Sequence, residues 1–89
     1  MGGRIICYDE SVKIIFTKHA KRKFKTHKAG GWNFSDKDIK EVIRRPYFSE
    51  INEERSVKIA LKRWDLKHDL RVIYREEGGI ITIVTFYPT

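Results

Sequence analysis

Apolar and polar residues alternate with two different periods along the chain, and the changes of period mark its elements. Residues 4–8 (Arg-Ile-Ile-Cys-Tyr) and 12–16 (Val-Lys-Ile-Ile-Phe) are β-rich runs separated by Asp9-Glu10-Ser11, which predicts a hairpin. Thr17 is placed to cap a helix over residues 18–28, and Gly30-Gly31 would stop it. A second helix is marked more fully. Ser35 is a good N-cap, and Asp38 three residues on approximates a capping box with Asp in place of Glu. Phe34 and Ile39 occupy the two positions of a hydrophobic staple, and Ile39, Val42 and Ile43 form an apolar stripe at helical spacing. Pro46 disfavours helical geometry at Arg45 and ends the helix there.

Strand patterns fill the rest. Residues 47–52 read as a short strand. In residues 57–63, Val57, Ile59 and Leu61 alternate with Lys58 and Lys62. Residues 70–76 and 80–87 flank Gly78-Gly79, a strong two-residue hairpin turn. The expected fold class is α+β, with two helices in the N-terminal half packed on one face of an antiparallel sheet of four to five strands. Residues 1–89 make a single domain with no internal repeat or linker, and the other sheet face is left partly open.

The hairpin turn pairs Glu77 with Ile80 and, counted outward, Arg71 with Phe86. Arg71, Ile73 and Arg75 then share the open face with Thr82, Val84 and Phe86, while Leu70, Val72, Ile81 and Ile83 make the core. Lys58 and Lys62 are expected to join the arginines on the open side, with Trp64 and Phe86 near enough to stack on bases. A one-residue bulge would reverse these assignments. For Trp64, packing at the sheet's edge is the competing expectation.

Charge adds a partner class. Nineteen Lys and Arg against twelve Asp and Glu give a formal charge of +7, and the pI is near 9.7. This balance attracts polyanions and says nothing about fold. It is concentrated in the first helix, where Lys18, Lys21, Arg22, Lys23, Lys25 and Lys28 occur without a single acid. Cations in the first turn oppose the helix dipole at a cost of roughly a few tenths of a kcal/mol. Like charges at i,i+4 add a similar cost. Such a helix either faces a phosphate backbone or is a merely solvated face.

Several chemistries are excluded or disfavoured. A single cysteine, Cys7, permits no internal disulfide framework and fits a reducing cytoplasm, the expected location. No apolar run approaches membrane-spanning length, and no secretion signal is evident. His19 and His27 are eight residues apart, about 12 Å of helical rise, too far to share one metal ion. Phosphate-loop, dinucleotide-binding and nucleophile-elbow motifs are missing, so no cofactor is expected and any catalysis would be metal-independent acid–base chemistry.

Metal-free RNA cleavage needs a base for the 2′-hydroxyl, a cation for the phosphorane charge and an acid for the leaving oxygen. His19 supplies an imidazole suited to proton exchange, Lys23 lies one turn further along the same helix, Arg71 is suited to bidentate phosphate binding, and Tyr87 offers a phenolic proton. The candidate catalytic residues are therefore His19, Arg71 and Tyr87. The candidate RNA-binding residues are Lys18, Lys21, Arg22, Lys23, Lys25, Lys58, Lys62 and Arg75.

Four short segments also follow a known pattern: Phe16-Thr17-Lys18-His19-Ala20-x-x-Lys23; Ser35-x-x-Asp38-Ile39-x-x-Val42-Ile43-x-x-Pro46; Leu70-Arg71-Val72-Ile73; and Thr85-Phe86-Tyr87-Pro88. Together they resemble a family of small bacterial and archaeal domains similar in layout to RelE-like and BrnT-like toxins, which are messenger-RNA-cleaving ribonucleases held inactive by antitoxin proteins. The resemblance spans about residues 13–88. It implies a RelE-like toxin fold with its RNA site on the sheet, functional positions His19, Lys23, Arg71 and Tyr87, and two partners. These are RNA, free or as ribosome-bound messenger, and a cognate antitoxin. Two departures stand out: Lys23 replaces the pattern's Arg, a poorer bidentate clamp, and residues 25–33 are longer than the pattern. The leading expectation is a metal-independent RNA endonuclease. The alternatives are a non-catalytic RNA- or DNA-binding module and an interaction domain that docks an acidic partner.

Overall fold

The protein is described by a computed structural model over residues 12–89. The elements are β1 (Lys13–Phe16), α1 (Lys18–Ala29), α2 (Asp36–Arg44), β2 (Phe48–Asn52), β3 (Val57–Arg63), β4 (Asp69–Glu77) and β5 (Ile80–Pro88). Both helices start where their caps dictate. The Thr17 side chain accepts from the Ala20 N–H, and Ser35 and Asp38 form a reciprocal capping box. The staple residues Phe34 and Ile39 are both buried. Gly30 caps the end of α1, and α2 stops one residue short of Arg45, ahead of Pro46.

The five strands form one sheet in the order β1-β5-β4-β3-β2. Every pairing is antiparallel except that of β1 with β5, which is parallel. The expectation of an antiparallel sheet therefore holds for four strands and fails at one edge. The first arm of the expected N-terminal hairpin, residues 4–8, and its turn lie outside the described residues. No helix among the described residues is long and apolar enough to cross a membrane.

Both helices cover one sheet face. Ala20 of α1 and Ile39, Val42 and Ile43 of α2 pack with Ala60, Leu70, Val72, Tyr74, Ile81, Ile83 and Phe86 in one core cluster. Ala60, Val72, Ile81, Ile83 and Phe86 have no solvent-accessible surface.

Two register details correct the expected faces. Gly78 and Gly79 adopt φ of +56° and +78°, the left-handed geometry of a tight hairpin turn, and Glu77 pairs with Ile80 as expected. That register continues to Tyr74 opposite Ile83 and then slips, because Ile73 faces Thr85 and Val84 is an extra residue in β5. Beyond the bulge, Arg71 faces Tyr87 and Val72 faces Phe86. Phe86 is therefore a core residue, not a base-stacking platform, and Tyr87 takes the place on the open face expected for it.

The second correction concerns β3. Leu61 pairs with Arg71 and Ile59 with Ile73, whereas Lys58 pairs with Tyr74 and Lys62 with Leu70. Partners across a ladder share a face. Val57, Ile59 and Leu61 thus lie on the open side, and Lys58 and Lys62 lie on the helix side. The reason is steric and electrostatic: α2 needs the small Ala60 beneath it, and the lysine stems reach past the core to carboxylates. Lys58 Nζ lies 2.6 Å from Glu76. Lys62 Nζ lies 3.6 Å from Glu41 on α2 and donates to the Arg45 carbonyl at 3.3 Å.

The register predicts opposite behaviour at two adjacent residues. Phe86→Ala should lower the unfolding free energy by about 3–5 kcal/mol, while Tyr87→Phe should change it by less than about 0.5 kcal/mol. Urea denaturation of the two variants checks this, and similar losses in both would refute the bulge.

Candidate nucleic-acid interface

The open sheet face holds a cleft of about 610 Å3. Its floor is apolar, made of Val57 and Ile59 of β3, Ile73 of β4 and Val84 of β5. Around this floor stand Arg71 and Arg75 from β4, Arg55 from the β2–β3 turn and Tyr87 from β5, with Asn52 and Thr85 completing the lining. Strand alternation puts Arg71, Ile73 and Arg75 on the same side, and the bulge brings Tyr87 opposite Arg71. The Arg71 guanidinium carbon lies 5.9 Å from the centre of the Tyr87 ring, within cation–π range.

No Asp, Glu or His among the described residues lines this cleft. Among the described residues, Arg55, Arg71 and Arg75 enter none of the ion pairs. The Arg71 Nε is buried and has no hydrogen-bond partner. A buried donor without an acceptor is costly, and native structures keep few of them. An anionic oxygen reaching the cleft would relieve that cost, and a planar guanidinium suits phosphate.

A second basic notch, of about 340 Å3, makes the contrast. It is lined by Arg45, Pro46, Tyr47, Lys62 and Arg63, but its cations are already paired. Glu41 lies 3.9 Å from Arg45 and 3.6 Å from Lys62, and Arg63 is 3.4 Å from Asp69. The Tyr47 hydroxyl donates to Asp69 at 2.5 Å. That bond to a carboxylate holds the phenol pKa above its ordinary value, helped by burial and the negative charge of Asp69 and partly opposed by Arg63. This notch stabilises itself internally; the open cleft does not.

The remaining candidate residues are dispersed. Arg71, Arg75 and Tyr87 are brought together. Lys58 and Lys62 are on the other side of the sheet in ion pairs, so they do not extend this surface. Lys18, Lys21, Arg22 and Lys25 are exposed on α1, Lys23 is half-buried there, and none of them lines the cleft. His19 is exposed in the first turn of α1 and also does not line the cleft, so the expected His19, Arg71 and Tyr87 constellation is not assembled as one site. Trp64 packs edge-on against Phe34, with ring centres 4.6 Å apart, and serves the core margin, not a base. Arg55 is the lining residue that the sequence reading missed. It sits beside Glu53 and Glu54 in a turn, where neighbouring acids mask it, and only the β2–β3 hairpin pairing reveals its position.

No family model matches the chain, and neither a curated protein nor a solved structure is significantly similar to it. Its function must therefore be argued from the cleft and the charge distribution.

If the Arg71 charge is held at an energetic cost, removing it should stabilise the protein. Arg71→Met is expected to raise the unfolding free energy by about 1 kcal/mol. Arg63→Met, which leaves the half-buried Asp69 carboxylate with the Tyr47 hydroxyl but without its cation, should lower it; urea denaturation distinguishes the two signs. In the notch, the Tyr47 phenol should titrate above the ordinary tyrosine value by NMR, and Asp69→Asn should bring it back down.

Proposed function

We propose that this protein acts on RNA as a metal-independent endonuclease of the RelE-like or BrnT-like toxin class, restrained by a separate antitoxin chain. The observation that carries the reading is Arg71, a half-buried cation with an unpartnered Nε, standing opposite Tyr87 in a cleft with two further arginines that enter no ion pair among the described residues. The RNA backbone lies along the open face, with phosphates on Arg55, Arg71 and Arg75. Arg71 stabilises the charge that builds on the phosphorane when the 2′-hydroxyl attacks, which is the largest contribution such a site can make. The Tyr87 hydroxyl gives its proton to the leaving 5′-oxygen as the P–O bond breaks, and the 2′-hydroxyl proton passes to water, from which Tyr87 is reprotonated.

One observation favours a second reading, a module that binds RNA without cutting it. Among the described residues, no imidazole or carboxylate lines the cleft, and Tyr87 is the one lining side chain suited to acid–base chemistry. Binding needs only the arginines.

The deciding experiment incubates RNA with the purified protein in excess EDTA, wild type beside Arg71→Ala and Tyr87→Phe. The endonuclease reading expects discrete fragments from wild type and at least ~100-fold slower cleavage by Arg71→Ala. Intact RNA in every lane, together with salt-sensitive binding lost in Arg71→Ala, would establish the binding module instead.

A further inference from the structure

The cations of α1 have an order that the cleft does not use. Lys18, Lys21, Lys25 and Lys28 recur at spacings of three, four and three residues, which sets them in one stripe along the helix. Arg22, four residues after Lys18 and three before Lys25, flanks the stripe. All five are exposed, and none takes part in an ion pair among the described residues. The stripe runs about 15 Å along the helix axis.

Packing holds this stripe away from the other described elements. Ala20 is fully buried, and Phe24 meets Phe86 of β5 with ring centres 4.7 Å apart. Phe86 points to the helix side of the sheet, whereas Arg71 and Tyr87 point to the other. The stripe and the arginine cleft therefore belong to opposite sides of the sheet. One short strand cannot occupy both without turning around the sheet edge.

We infer that the α1 stripe is a second polyanion surface, shaped for the phosphate backbone of a double-helical nucleic acid. Its composition selects the partner. The exposed residues of α1 are Lys18, His19, Lys21, Arg22, Lys25, Thr26, Lys28 and Ala29, with no exposed Phe, Trp or Tyr. Single strands are gripped by stacking bases on free aromatic rings, and the stripe offers none: His19 lies about 100° round the helix from Lys18, away from the stripe, and Phe24 is half-buried against Phe16 and Phe86. A membrane surface would need bulky apolar residues on the inserted face, and Phe24 is committed to the core. What remains is contact with phosphates alone, and a double helix presents phosphates in rigid rows with its bases hidden. Binding here is independent of sequence. The inference rests on α1 alone and stands apart from the reaction proposed for the cleft.

The test measures fluorescence anisotropy across a salt series with three probes: a double-stranded RNA, a DNA duplex of the same sequence, and an unstructured single-stranded RNA. The full chain is compared with Lys21→Glu/Arg22→Glu/Lys25→Glu and with Arg71→Ala/Arg75→Ala. The α1 variant should bind double helices at least tenfold more weakly, with a salt slope reduced by roughly three, while keeping its affinity for the single strand. The cleft variant should keep double-helix binding. Equal affinity for the two duplexes assigns the surface to the shared backbone, and preference for RNA assigns it to the 2′-hydroxyl-bearing helix; both uphold it. Failure of the wild type to bind either duplex, undiminished duplex binding by the α1 variant, or parallel loss of all three probes would overturn it. Should the charge reversals prevent folding, Lys21→Gln/Arg22→Gln/Lys25→Gln gives the same readout.

Discussion

Tyr74 pairs with Ile83 and Ile73 with Thr85, so Val84 between them has no partner across the β4–β5 ladder. This one extra residue sets what both faces of the sheet become. Without it, strand alternation would carry Phe86 to the open side and Tyr87 into the core. With it, Phe86 fills the space beneath Phe24 and Phe34, and Tyr87 stands opposite Arg71. The bulge also positions α1. β1 ends opposite Ile83, so the chain turns off the sheet at Thr17, whose N–H bonds to the Ile83 carbonyl at 3.1 Å. The Thr17 hydroxyl donates to the Val84 carbonyl at 3.3 Å while accepting from the Ala20 N–H at 3.0 Å. At the far end of the helix, His27 Nε2 donates to the Phe86 carbonyl at 2.7 Å. Both ends of α1 are thus tied to β5 across the bulge, and β5 positions the helix stripe and the cleft together.

The two sheet faces treat charge differently. On the helix side and at the rim, Lys58, Lys62, Arg63 and Arg45 all have carboxylate neighbours, which lets cations approach a core without a large desolvation cost. On the open side, Arg55, Arg71 and Arg75 sit over an apolar floor with no carboxylate among the described lining residues. A protein optimised for stability alone would pair or replace such groups, and uncompensated ones gather where a ligand completes them. The same reasoning applies to α1, where like charges recur at i,i+3 and i,i+4 without intervening acids.

The sequence made the local decisions legible. Thr17, the Ser35–Asp38 capping box, Pro46 and Gly78-Gly79 act on their own neighbours, so each element they bound could be read from a few residues. Facing was harder. The alternation of Val57, Ile59 and Leu61 says that one side of β3 is apolar, but not which sheet face that side joins. That choice depends on α2 finding Ala60 beneath it and on Glu41 and Glu76 lying within reach of the lysines. The bulge at Val84 has no mark such as a glycine. It follows from non-local packing around Phe86, and so the partner of Arg71 was misassigned by one residue. The parallel pairing of β1 is likewise a long-range contact that a run of β-rich residues cannot disclose. Arg71, Arg75 and Tyr87 are legible as a cluster from strand alternation, Arg55 is masked by its acidic neighbours, and nothing local tells that His19 stands apart from them.

The four segments that suggested a toxin-like pattern take on a physical meaning once folded. Leu70-Arg71-Val72-Ile73 and Thr85-Phe86-Tyr87-Pro88 are direct partners across the β4–β5 ladder, from Leu70 opposite Pro88 to Ile73 opposite Thr85. Thr17 and Ala20 of the first segment dock α1 onto that same strand, and the second segment supplies the capped helix whose apolar stripe completes the core. Most of the pattern is therefore scaffold: caps, a buried alanine and alternating core residues. Its net effect is to hold one arginine and one tyrosine side by side on an otherwise uncovered face. His19 stands apart from this arrangement, exposed and without a hydrogen bond or ion pair among the described residues. A motif can thus be mainly architectural and still define a site, because the bulge and the helix docking are what bring Arg71 and Tyr87 into register.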